Sequence, residues 1–128
     1  GIGRMFQDNH IFPEMSVLDN MLVADASHAG EKPFFNLLRG RKVKKEEEQR
    51  IQKAKAVING IFQNDTSFAE IFDLYAGNLS YGQQRLLGLA RLFMRDYSLL
   101  LLDEPTAGVN PEVIKQIKIL IRKLLLKK

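Results

Sequence analysis

Two adjacent carboxylates, Asp103 and Glu104, follow an unbroken run of leucines from Leu99 to Leu102. Four apolar residues are too few for a helix and fit a strand buried on both faces, as in a parallel sheet covered by helices. In open α/β sheets, ligands sit beyond the carboxyl ends of the strands, where this pair falls. Asp103 is placed to hold Mg2+, directly or through water, because that ion is satisfied by one or two carboxylates together with phosphate oxygens. Glu104 is placed to reach a water molecule beside the ion, and a positioned general base contributes about 10²–10⁴-fold in rate. On its own an Asp-Glu pair reads as a solvated loop. The apolar run before it and Pro105, Thr106 and Gly108 after it favour chemistry.

A second stretch points to anion binding. Ser80 precedes apolar residues Leu86, Leu87, Leu89, Ala90, Leu92 and Phe93 at helical spacing, and serine is a favoured N-cap. Gly82 lies in the first turn, where it costs about 1 kcal/mol relative to alanine, which makes sense if something approaches the backbone closely. First-turn N–H groups, the helix dipole and a serine hydroxyl together attract an anion. Gln83, Gln84 and Arg85 add polar reach. The alternative is an ordinary capped helix with a tolerated glycine.

The elements that position these residues are legible from caps and periodicity. Residues 1–7 read as a strand running into a loop, with Asp8 and Asn9 as turn residues. Ile11, Phe12 and Met15 form either a local apolar cluster or a docking surface. Ser16 caps a helix of roughly ten residues with Asp19 at its third position; its apolar face is Val17, Leu18, Met21, Leu22 and Ala24. A second helix spans residues 44–63, with Ile51, Ala54, Val57, Ile58, Ile61 and Phe62 spaced by three and four and a Glu46–Arg50 pair on its polar side. Ser67 and Glu70 form a capping box for a short helix through Phe72. Asn110, Pro111 and Glu112 signal another helix start. Ile114, Ile117, Leu120, Ile121, Leu124 and Leu125 form its buried face, and Arg122, Lys123, Lys127 and Lys128 its solvated end.

Residues 27–43 carry Phe34, Phe35, Leu37 and Leu38 among basic residues, which reads as a short helix with a solvated rim or as a contact for anionic lipid headgroups. The whole chain, with 128 residues, 45% hydrophobic and 27% charged, suits one domain. Its net charge of +4 is mild and does not by itself imply nucleic acid. The absence of cysteine rules out disulfides and thiolate-bound metal in this chain. No apolar run approaches the roughly 20 residues of a membrane span, so membrane association is expected through a partner.

At these residues the chain resembles the nucleotide-binding subunits of ABC transporters. Leu79-Ser80-Tyr81-Gly82-Gln83-Gln84 is similar to the ABC signature, usually LSGGQ, with Tyr81 in place of the first glycine. Leu99 to Glu104 resembles Walker B with its glutamate, and residues 107–110 lie where the D-loop falls, with Asn110 in place of the more usual Asp. GIGRMFQ and IFPEMSVLDNMLVA resemble the Q-loop and the start of the helical subdomain, and the wording is most similar to ATP-binding subunits of branched-chain amino-acid importers.

The resemblance implies an α/β fold that is part of an ABC-type P-loop ATPase, mostly the helical subdomain plus the Walker B strand and the helix after it. Residues 1–15 would be the Q-loop region, 16–97 the helical subdomain, and 98–128 the Walker B strand, D-loop and last helix. ATP and Mg2+ are the implied cofactors. Ser80 and Gly82, with Gln83 and Gln84, would meet the γ-phosphate of ATP held by a second ATPase subunit. Gln7 would sense Mg2+ and the attacking water and couple to a membrane-embedded permease. Asp103 would support the metal, Glu104 would polarise the water, and Asn110 would cross the dimer interface. The implied location is peripheral, on the cytoplasmic face of the plasma (inner) membrane.

No G-x-x-x-x-G-K-[ST] loop, which cradles phosphates through backbone N–H groups and a lysine, occurs in the sequence. His10 and His28 lie upstream of the signature and do not match the family's switch histidine. The expectation is an internal piece of a longer transport ATPase, inactive on its own. The alternatives are a non-transport ABC-type ATPase of DNA repair or translation, and a non-catalytic interaction module.

Overall fold

A computed structural model of the chain describes residues 2–5, 11–25, 40–62, 71–95 and 97–126. Two strands and four α-helices follow in order among the described residues: β1 (Ile2–Met5), α1 (Val17–Asp25), α2 (Gly40–Ile61), α3 (Tyr81–Arg91), β2 (Leu99–Leu102) and α4 (Pro111–Leu126). The strands pair in parallel, with Ile2 opposite Leu99 and Met5 opposite Leu102. Parallel pairing of strands so far apart in sequence requires a crossover, and here the crossover is the helical layer itself.

α3 organises that layer, packing against α1, α2 and α4. Leu86, Leu87, Leu89 and Ala90 on it are buried; full burial of each leucine contributes roughly 1.5–3 kcal/mol. Val17 and Met21 of α1, Ala54, Ile58 and Ile61 of α2, and Ile117 and Leu120 of α4 close the same core. A 3-10 turn, Leu92–Met94, ends α3, and Lys53 Nζ donates to the Met94 carbonyl at 2.8 Å, tying α2 to that turn.

The α1 cap is as expected: Ser16 Oγ accepts from the Asp19 N–H at 3.0 Å. Four expectations are revised. α2 begins at Gly40 rather than Lys44, because a glycine costs little at a helix end, where fewer intrahelical bonds depend on it. Arg50 does not pair with Glu46; its Nε lies 3.3 Å from Asp25 Oδ2 and pins α2 to the end of α1. β2 is not buried on both faces: Leu99 and Leu101, which share one face of the strand, are 48% and 47% exposed, because the described helices do not fully cover that face. Leu125 is 61% exposed rather than buried; the helix it lies on packs chiefly against α3, which does not cover its last turn. Gln7, His10, His28, the 27–39 segment and the Ser67–Glu70 capping box lie outside the described residues.

Candidate functional site

The site is built from two neighbouring helix starts and the loop that leaves β2. Ser80 has extended backbone angles and caps α3. Its Oγ accepts from the Gln83 N–H at 3.3 Å, while Gln83 Oε1 accepts from the Ser80 N–H at 2.9 Å. This reciprocal capping box satisfies two donors and leaves the hydroxyl proton of exposed Ser80 free to donate outward. The Ser-x-x-Gln spacing was the sequence signal for Gln83's part in it. Gln84 turns away from solvent chemistry: its Nε2 donates to the carbonyls of Leu79 at 3.1 Å and Ala76 at 3.4 Å. Gln84 therefore braces the turn that leads into α3.

Gly82 has a partner within the chain. A Cβ at this position would stand 2.9 Å from Val113 Cγ2 and 3.3 Å from Cγ1. The first turns of α3 and α4 therefore touch where a side chain would hold them apart. The close approach inferred from the sequence exists, and Val113 makes it. The Gly82 N–H belongs to the first turn of the helix, where N–H groups have no intrahelical acceptor.

Asp103 and Glu104 are both exposed at the carboxyl end of β2. Glu104 has φ 43°, the one non-glycine with positive φ among the described residues. Holding a non-glycine residue in that region costs about 1–3 kcal/mol, and such residues cluster at active sites. The Ala107 N–H donates to the Glu104 carbonyl at 3.1 Å and closes the turn; Gly108 follows with φ 70°. Asn110 then caps α4, its Oδ1 accepting from the Val113 N–H at 2.9 Å. The loop thus ends at the residue pair that also receives Gly82. A groove of about 340 Å³ adjoins these helix starts, lined by Ser80, Gln83, Val113 and Gln116 with Ile61, Phe62 and Leu86 behind them.

Among the described residues no cluster of three or more His, Asp or Glu side chains forms a self-contained metal cage. A single exposed carboxylate at a strand end suits a Mg2+ ion that draws its remaining ligands from phosphate and water. Asp103 fits that donor pattern.

Asn20 was missed by sequence reasoning. It is completely buried. Its Oδ1 accepts from the Phe12 N–H at 2.8 Å, and its Nδ2 donates to the carbonyls of Phe12 at 2.9 Å, Ser16 at 3.0 Å and Met15 at 3.3 Å. One amide therefore holds the whole Phe12–Ser16 loop. The available signal was a polar residue beside Met21, on the side of α1 that faces the core. The same loop bonds to the segment before α3: the Val17 N–H to the Leu74 carbonyl at 2.9 Å, and the Ala76 N–H to the Met15 carbonyl at 2.9 Å. Arg91 lies over the Phe12 ring at 5.2 Å, and burial lowers its pKa from the ordinary arginine value.

A parallel strand pair whose second strand ends in carboxylates, beside a helical layer that presents a capped N-terminus, is a partial α/β fold of the kind that places ligands beyond its strand ends. Residues 1–107 match the family described as ABC transporter, and the chain belongs to that family. It is 36% identical over 124 residues to the high-affinity branched-chain amino acid transport ATP-binding protein BraF of Pseudomonas aeruginosa, an alignment covering 97% of this chain and 47% of that protein. It is 40% identical over 111 residues to the probable branched-chain amino acid transport ATP-binding protein LivG of Archaeoglobus fulgidus, covering 87% of this chain and 40% of that one. The ADP conformation of MJ1267, an ATP-binding cassette of an ABC transporter, matches with a TM-score of 0.66 at 31% identity, over 99% of this chain and 47% of that one. The chain spans about half the length of the curated relatives it matches.

Proposed function

We propose that this chain is part of the ATP-binding, ATP-hydrolysing subunit of an ABC importer, one that drives uptake of branched-chain amino acids. The observation that carries the reading is Glu104, held at positive φ at the carboxyl end of β2, on the loop that abuts the capped start of α3. Glu104 orients and polarises the attacking water. The Ser80 hydroxyl and the Gly82 N–H donate to the terminal phosphate of ATP bound by a second ATPase subunit, with Gln83 holding the Ser80 backbone in place. Asp103, with Gln7, would hold Mg2+, which would supply charge neutralisation for the phosphates. Asn110 lies on the segment that crosses to the second subunit.

The partner in the membrane is a separate permease, with this subunit peripheral on the cytoplasmic face, a reading supported by relatives that are named as transport ATP-binding proteins. No helix among the described residues is long and apolar enough to cross a membrane. Phe12, Met15, Leu74 and Tyr75 are exposed on two segments joined by an antiparallel bridge between Ser16 and Tyr75, and this apolar patch suits a permease helix. The names of the relatives support the amino-acid substrate class.

The test is Glu104→Gln in the intact protein. ATP turnover falls by about 10²–10⁴-fold, the usual contribution of a positioned base, while ATP binding measured by nucleotide titration is retained. Unchanged turnover removes Glu104 from this role.

A further inference from the structure

Tyr81 and Arg85 form a connection that nothing in the proposed chemistry has used. Tyr81 is the first residue of α3 and is 51% exposed, yet its ring faces Gly108 of the loop after β2. A Cβ on Gly108 would stand 3.4 Å from Tyr81 Cε1 and 3.8 Å from its Oη. The same Oη accepts two hydrogen bonds from Arg85, from Nη2 at 2.8 Å and Nε at 3.2 Å. Arg85 is 1% exposed. Among the described residues no carboxylate pairs with it, and its buried Nη1 has no hydrogen-bond partner. Its guanidinium also lies 5.4 Å from the Tyr81 ring centroid, within the range of a cation–π contact.

A buried guanidinium is expensive unless its donors are met, so this one depends on the phenol oxygen. Tyr81 in turn cannot swing into solvent without stranding Arg85. The ring is therefore held in one position, facing Gly108 across the space that a Cβ there would fill.

Resting on the ATPase reading, we infer that Tyr81 and Arg85 act as a strut that sets the position of the Glu104–Asn110 loop relative to the first turn of α3. They are positioning residues, acting through the loop and the helix start that they hold. The strut keeps the end that carries Ser80 and the loop that carries Glu104 in fixed register. The contact of Gly82 with Val113 ties the other end of that loop, through the Asn110 cap of α4, to the same turn. The loop is thus clamped at two points on one helix.

The experiment compares the intact wild-type protein with Tyr81→Phe and Arg85→Met. Tyr81→Phe keeps the ring and removes the acceptor. Arg85→Met removes the buried charge and leaves a partly solvated phenol, a change that buried sites often tolerate, so one variant stays folded even where the other does not. Amide exchange followed by mass spectrometry and steady-state ATP hydrolysis are measured on each. Exchange at Ala107 and Gly108 rises roughly tenfold in both variants, the order expected for losing a hydrogen bond to a charged group. Exchange across Leu86–Ala90 stays at the wild-type rate. The kcat falls by about as much as loop exchange rises, with KM for ATP unchanged, because the loop and not nucleotide binding is disturbed. Unaltered exchange at 107–108 overturns the strut, and so does equal acceleration along all of α3, which marks general loosening. A wild-type protein without ATP turnover overturns the ATPase reading instead, while the exchange data still decide the strut.

Discussion

Gly82 offers a sharp quantitative test of how the site is assembled. Alanine is the better helix residue by about 1 kcal/mol, so Gly82→Ala on an isolated helix would stabilise. Here the added Cβ would sit 2.9 Å from Val113 Cγ2 and 3.3 Å from Cγ1. The first distance is shorter than carbon atoms tolerate, so α3 and α4 must part or Val113 must leave its rotamer. Overpacking of this kind costs about 1–3 kcal/mol. Set against the propensity gain, the net effect of Gly82→Ala is a loss of up to about 2 kcal/mol. In a Val113→Ala background both γ-methyls are gone, and the same substitution becomes stabilising by up to about 1 kcal/mol. The coupling energy between the two positions is then about 1–3 kcal/mol, within the range for contacting residues. Urea unfolding of the wild type, both single variants and the double variant measures it. A coupling below about 0.5 kcal/mol, the level at which independent sites add, refutes the helix-packing explanation. So does a stabilising Gly82→Ala in the wild-type background. Either result would leave approach of a ligand as the reason for the glycine.

Asn20→Ala removes the amide that holds the Phe12–Ser16 loop and leaves the part-buried Phe12 N–H without its acceptor. The expected loss is about 1–3 kcal/mol, read as a lower urea midpoint together with faster proteolysis between Phe12 and Met15. The 128-residue chain by itself is expected to show no saturable MgATP binding in the micromolar range by calorimetry, because its sequence holds no glycine-rich lysine loop to cradle the phosphates. Saturable binding at that level would show that the helix starts described above suffice.

Local signals were the most legible. The caps at Ser16, Ser80 and Asn110 each act through a side chain on a backbone N–H three residues ahead, so the chain itself contains both partners. The leucine run marked β2, and the 3.6-residue spacing marked the buried sides of α1, α2 and α3. Burial of β2 was overestimated because an apolar run reports what a strand would prefer, not what covers it; Leu99 and Leu101 remain half exposed. Arg50 was assigned to Glu46 because helical neighbours are visible in sequence, whereas Asp25 reaches it through the packing of α1 on α2.

The sequence alone determined the family resemblance, the order of the elements, the caps and the identity of the residues able to do chemistry. Each of these rests on residue type and short spacing. Tertiary structure decided what those residues touch: Val113 beneath Gly82, the buried amide of Asn20 in its loop, the positive φ of Glu104, and Gly108 against a Tyr81 held by Arg85. Most of these contacts join segments remote in the chain, and the register of such segments is set by how whole helices pack. No short window of sequence records that packing.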